Sequence, residues 1–171
     1  MIPKTAIIPA EFYQRYIELI KEDDIGEALK KNTRQFTKFL EKIPRKKIDY
    51  AYAAGKWTIR ESLQHIIDAE RVFSYRALRF SRLDPTPLPG FDENNWAANA
   101  GGAHRSWKEL KAEFAAVREA TTLLFGSLSE EQLLFRGEAN GLPLNAFTIG
   151  FIVPGHVAHH INIFKERYLK S

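Results

Sequence analysis

The sequence predicts an all-α fold: a four-helix bundle with a short extra N-terminal helix and a long connection between its second and third helices. Three observations carry this. Apolar residues recur at helical spacing through most of the chain, and alternating strand-like runs are scarce. Four of the helical stretches are long and amphipathic. Cap residues and prolines stand where each stretch should begin or end.

In chain order, a short helix is predicted over Ala10–Ile20, after Pro9. Asp23-Asp24 can cap the next, about Ile25–Ile43, with Leu29, Phe36, Phe39, Leu40 and Ile43 on its apolar side. Pro44 and the basic run Arg45-Lys46-Lys47 end it. An aromatic-rich loop leads to Thr58, with Glu61 three residues on, which is the capping-box arrangement. The helix that follows has a broad apolar face and stops before Pro85, Pro87 and Pro89. Residues 84–103 form the long connection, carrying Phe91 and Trp96. Ser106 can cap a helix from Trp107 to about Phe125. A short helix over Ser129–Leu134 precedes a Gly-rich turn, with a weak hairpin signal in 135–145. The last helix is predicted from about Asn145 to Tyr168, interrupted or kinked near Pro154-Gly155.

At 171 residues the chain fits a single domain, 1–171, long enough to bury a substantial core. It has no cysteine, which excludes a disulfide framework, a thiolate zinc site, a cysteine nucleophile and a cysteine-ligated iron–sulfur cluster. Five histidines remain, so a transition-metal site has to be built from imidazole with carboxylate or water. The net charge of +4 is too small to argue for nucleic acid. Arg71, Arg76, Arg79 and Arg82 run down one helix and are expected to form a solvated, charge-paired face. The apolar stretch Ala146–Phe164 contains Pro154 and three histidines, which argues against a membrane span. No export signal is read at the start of the sequence, so a cytoplasmic location is expected.

The informative motif is Gly155-His156-Val157-Ala158-His159-His160. His156 and His160 stand at i, i+4, so on a helix their rings project from one face and can converge on one metal. A packed pair of histidines satisfies the same spacing. His65 is the natural third ligand, because it lies between Leu63 and Ile66-Ile67 on the core-facing side of its helix. Three neutral imidazoles leave coordination positions open, as catalytic sites do. His104 reads as a solvated loop residue. Asp68, at i+3 from His65, is a candidate base or hydrogen-bond acceptor beside the ligands, and His159 a candidate proton shuttle. Either is also compatible with a surface role. Phe91 and Trp96 are candidates for the wall of a substrate pocket, or anchors of the connection. Trp57 reads as packing.

Gly55-Lys56-Trp57-Thr58-Ile59-Arg60-Glu61-Ser62-Leu63-Gln64-His65-Ile66-Ile67-Asp68, together with Gly155-His156-x-x-His159-His160, resembles the two motifs of the DinB-like (DNA-damage-inducible, YfiT-type) superfamily. The segment Asp84–Asp92 also resembles that family's middle region, and the likeness spans nearly the whole chain. It implies a four-helix bundle holding a divalent metal, zinc or nickel, on His65, His156 and His160. It also implies homodimers and, from characterised relatives, chemistry with a low-molecular-weight thiol: bacillithiol or mycothiol S-transfer, or mycothiol-dependent maleylpyruvate isomerisation. Other members are described only as metal-dependent hydrolases. The expected function is a metal-dependent thiol transferase or hydrolase acting on a small molecule. The alternative is a non-catalytic metal- or ligand-binding stress-response bundle with no DNA-binding activity of its own.

Overall fold

Local signals in the chain set most helix starts. Asp24 accepts from the Glu27 amide at 2.9 Å to open α2, Ile25–Lys42. Thr58 and Glu61 close a reciprocal capping box at the head of α4, Ile59–Ser81, and Ser106 and Glu109 another at α6, Trp107–Gly126. Asn145 caps α8, Ala146–Ile163, through the Thr148 amide at 2.7 Å. The computed structural model describes residues 2–170. Its shorter elements are α1 (Glu11–Ile17), α3 (Arg45–Ile48), α5 (Glu93–Asn99), α7 (Glu130–Leu134) and the antiparallel strands β1 (Arg136–Ala139) and β2 (Leu142–Asn145).

The four long helices close a ring in the order α2, α8, α4, α6, and α1 packs across α8. The predicted bundle is therefore present, with the extra N-terminal helix. Helix α8 is buried on every side over Ala146–Val157, as its near-continuous apolar sequence requires. The apolar core divides in two. One cluster joins α1, the hairpin, the start of α2, the second half of α4 and the first half of α8; the other joins the second half of α2, the first halves of α4 and α6, and the end of α8. The chain passes from one to the other at His156, between Val153 and Val157.

A buried polar chain runs across all four long helices. Arg118 of α6 donates to both carboxylate oxygens of Glu70 on α4, at 2.7 and 2.8 Å. It also donates to Asn32 of α2 at 2.9 Å, and Asn32 donates to the Pro154 carbonyl of α8 at 3.1 Å. Arg118 and Glu70 are 1% and 2% exposed.

Several expectations change. Helix α1 is shorter than Ala10–Ile20. The basic run after Pro44 winds into a turn of its own, α3. The 84–103 connection holds α5 and a 3-10 turn over Gly102–His104. No break occurs at Pro154: α8 continues through it as α-helix, and only Phe164–Tyr168 loosens into a π-type turn. Proline removes the donor that the Gly150 carbonyl would otherwise meet, a loss that α8 sustains because packing surrounds it on every side. The hairpin is definite. Asn140 and Gly141 both take positive φ, 55° and 72°, as the tight turn between β1 and β2 demands. The connection is tied to it, since Leu88 donates to the Glu138 carbonyl and accepts from the Asn140 amide, both at 2.9 Å.

Candidate metal centre

His156 and His160 lie one turn apart on α8 and His65 faces them from α4, because α4 and α8 are neighbours in the ring. The Nε2 of His156 is 3.2 Å from that of His65 and 3.1 Å from that of His160. One ligand atom from each ring falls within 4.8 Å of the others. Two imidazole nitrogens bound to one metal at about 2.1 Å sit roughly 3.0–3.4 Å apart, depending on the bond angle. The two separations from His156 therefore match those of rings that share a single divalent ion.

The electrostatics agree. Burial pushes the His65 imidazole down to about 4, with the Glu93 carboxylate pulling the other way. Burial and then the neighbouring rings hold His156 and His160 well below the ordinary histidine range. At neutral pH the three rings are uncharged and offer lone pairs, which is the state a metal needs.

The trio lies at the bottom of a cavity of about 210 Å³. Helix α1 supplies much of its wall through Phe12, Tyr13, Arg15 and Tyr16, which the sequence reading missed. The Tyr16 ring meets the His156 ring edge-on at 5.4 Å and lies 5.1 Å from His159. Gly155 makes this possible. A Cβ there would fall 2.3 Å from the Tyr16 carbonyl oxygen, a backbone atom that cannot swing aside. Gly155→Ala is expected to push α1 off α8 and cost about 1–3 kcal/mol in a urea melt, with the cavity wall displaced.

The sequence-predicted residues divide as follows. His159 is half-buried on the cavity wall, held below its usual range by burial and by the Arg15 charge. Trp57 covers His65 at 4.8 Å between ring centroids, so it packs against a candidate ligand. Phe91 lines the cavity, and Trp96 does not: it rests on Phe91 at 4.6 Å and faces a separate shallow depression. Asp68 is not brought to the histidines either. Three residues from His65 is about 60° short of a full turn. This turns the carboxylate toward α6, where it accepts from Gln64 at 2.9 Å and lies 3.7 Å from Arg71, itself paired with Glu113. His104 is exposed in its 3-10 turn. The carboxylate that does line the cavity is Glu93 of α5. The expected basic face holds for Arg71 and Arg79, which pair with Glu113 and Asp84. It fails for Arg76, which is buried on the cavity wall because its helix position faces α1 and the connection.

A family model described as the DinB superfamily matches residues 28–164. That span takes in the three ligand candidates and Glu93. Among solved structures, the chain is similar to YfiT from Bacillus subtilis, described as a probable metal-dependent hydrolase with an unusual four-helix bundle topology. The two are 18% identical and superpose with a TM-score of 0.66 over 93% of this chain and 87% of that one. At that identity the likeness speaks for the fold. No curated protein matches the chain. None of the described helices is long and apolar enough to cross a membrane.

Proposed function

The chain belongs to the DinB superfamily, and on that premise we propose that it is a divalent-metal-dependent enzyme acting on a small molecule. The observation that carries this is the convergence of three neutral imidazoles at the bottom of an open cavity. His65, His156 and His160 would hold the ion, and three nitrogen donors with open positions suit zinc or nickel. When bound, the ion supplies Lewis acidity toward water or toward a thiol carried in by the substrate.

The chain's own residues do the rest. Glu93, which lines the cavity and whose charge acts on His65, is placed to take up a proton released near the ligands. His159 is the other cavity group able to move a proton, at the wall beside Tyr16. Phe12, Tyr16, Phe73 and Trp57 give the cavity an aromatic wall that excludes water from part of its volume. Hydrolysis is the first reading. Thiol transfer is the second, and the lack of any cysteine means its sulfur must arrive with a co-substrate.

The test is turnover by zinc- or nickel-loaded protein, on nitrophenyl esters and anilides in one arm and on chlorodinitrobenzene with small thiols in the other. Metal-dependent turnover in either arm is expected, lost on chelation and reduced about 10²–10⁴-fold in Glu93→Gln. Loaded protein inert in both arms would leave a passive metal-binding bundle.

A further inference from the structure

The cavity contains a buried positive charge that no carboxylate among the described residues pairs with. Arg76 of α4 is 2% exposed and lines the same cavity as the three histidines. Its Nη2 donates to the Pro89 carbonyl at 2.9 Å, and its Nη1 reaches the Tyr13 hydroxyl only at 3.5 Å. Among the described residues no carboxylate lies within ion-pair distance of it. Arg118, the other deeply buried arginine, shows what balance looks like, with both oxygens of Glu70 on its guanidinium. A buried cation without a counter-charge is costly, and is tolerated where the counter-charge arrives from outside.

Two further side chains shape the same space. Arg15 is exposed at the cavity rim, stacked over Phe12 and Tyr16, and donates to the Tyr16 hydroxyl at 2.9 Å. It too has no carboxylate partner among the described residues. Glu93 pairs with neither arginine. Its charge is felt at His65 and Tyr16. The cavity thus has a cationic side at Arg76, near Tyr13 and Pro89, and a ligand side at the histidines with Glu93 beside them.

Resting on the metal-dependent reading, we propose that the substrate is a small carboxylic acid. Its carboxylate docks on the Arg76 guanidinium, assisted by Arg15, while its reactive group faces the three histidines. A planar carboxylate matches the guanidinium fork and supplies the missing negative charge. Selectivity then lies in charge, since the neutral amide of the same acid leaves Arg76 unbalanced.

Calorimetric binding to zinc-loaded protein tests this with three probes of graded length: mercaptoacetate, 3-mercaptopropionate and 4-mercaptobutyrate, each against its amide. At least one acid is expected to bind about tenfold or more tightly than its amide. That ratio should collapse to about one in Arg76→Met and stay intermediate in Arg76→Lys, with amide affinity little changed in either. Arg15→Gln, on the exposed rim, should lower the ratio without removing it. Ratios near one for all three acids in the wild type would overturn the proposal, and that comparison needs no variant to fold. So would a ratio preserved in folded Arg76→Met. Metal content is measured on the same samples. A protein that holds no zinc overturns the reading beneath and this proposal with it, whereas a loaded protein indifferent to the carboxylate overturns this proposal alone.

Discussion

Arg118→Met lowers the unfolding free energy of the metal-free protein by about 3–5 kcal/mol. The substitution preserves length and apolar bulk, so the loss is electrostatic. Glu70 is left as a buried carboxylate with both oxygens stripped of their donors, and Asn32 loses the partner that orients it toward Pro154. The double variant Glu70→Leu/Arg118→Met removes both charges and is expected to recover most of the loss, because apolar groups of similar volume fill such sites well. Urea unfolding of the single and double variants checks this. A single-variant loss below about 1 kcal/mol would mean that water reaches Glu70 and that the polar chain is not sealed in the bundle. The consequence for function is positional. Asn32 grips α8 two residues before His156, so the chain from Glu70 to Pro154 fixes the height of that candidate ligand against α4.

The second large effect is on metal-linked stability. Zinc at a hundredfold its dissociation constant should stabilise the wild type by about 2.7 kcal/mol, a shift of roughly 5–10 °C in melting temperature for a chain of this size. His156→Leu should show no such shift. His156 is the ring whose Nε2 stands within 3.2 Å of both other ligand atoms, so its loss leaves two nitrogens with no common third. The metal-free variant should still fold, because the imidazole it replaces is buried and neutral and packs edge-on against Tyr16 and Phe73, contacts that an apolar side chain can fill. Thermal melts with and without zinc separate the two effects. An equal zinc-induced shift in the variant would place the ion elsewhere.

What the sequence revealed, and what it hid, follows the range of each interaction. The caps at Asp24, Thr58 and Ser106 are legible because donor and acceptor lie within three residues. The three histidines are legible because two share a helical face and the third sits among core aliphatics. Asp68 misleads because i+3 spacing brings a side chain near a helical face without placing it there. Arg76 misleads because charge patterning does not distinguish a solvated stripe from a residue covered by α1 and the connection. The contribution of α1 has its sequence trace in Gly155, whose missing side chain admits the Tyr16 carbonyl. That meaning appears only once the two helices are seen in contact. Pro154 reads as a breaker, and is overridden by burial on all sides. Asn140-Gly141 carries a strong local hairpin signal, which the surrounding helical periodicity obscured.

The central claim is that His65, His156 and His160 hold one divalent ion. It is tested most directly by counting metal after zinc or nickel loading and exhaustive dialysis, in the wild type, His65→Ala and His160→Ala. One equivalent per chain in the wild type and little in either variant is the predicted result. A full equivalent retained by either variant, or none held by the wild type, would contradict it.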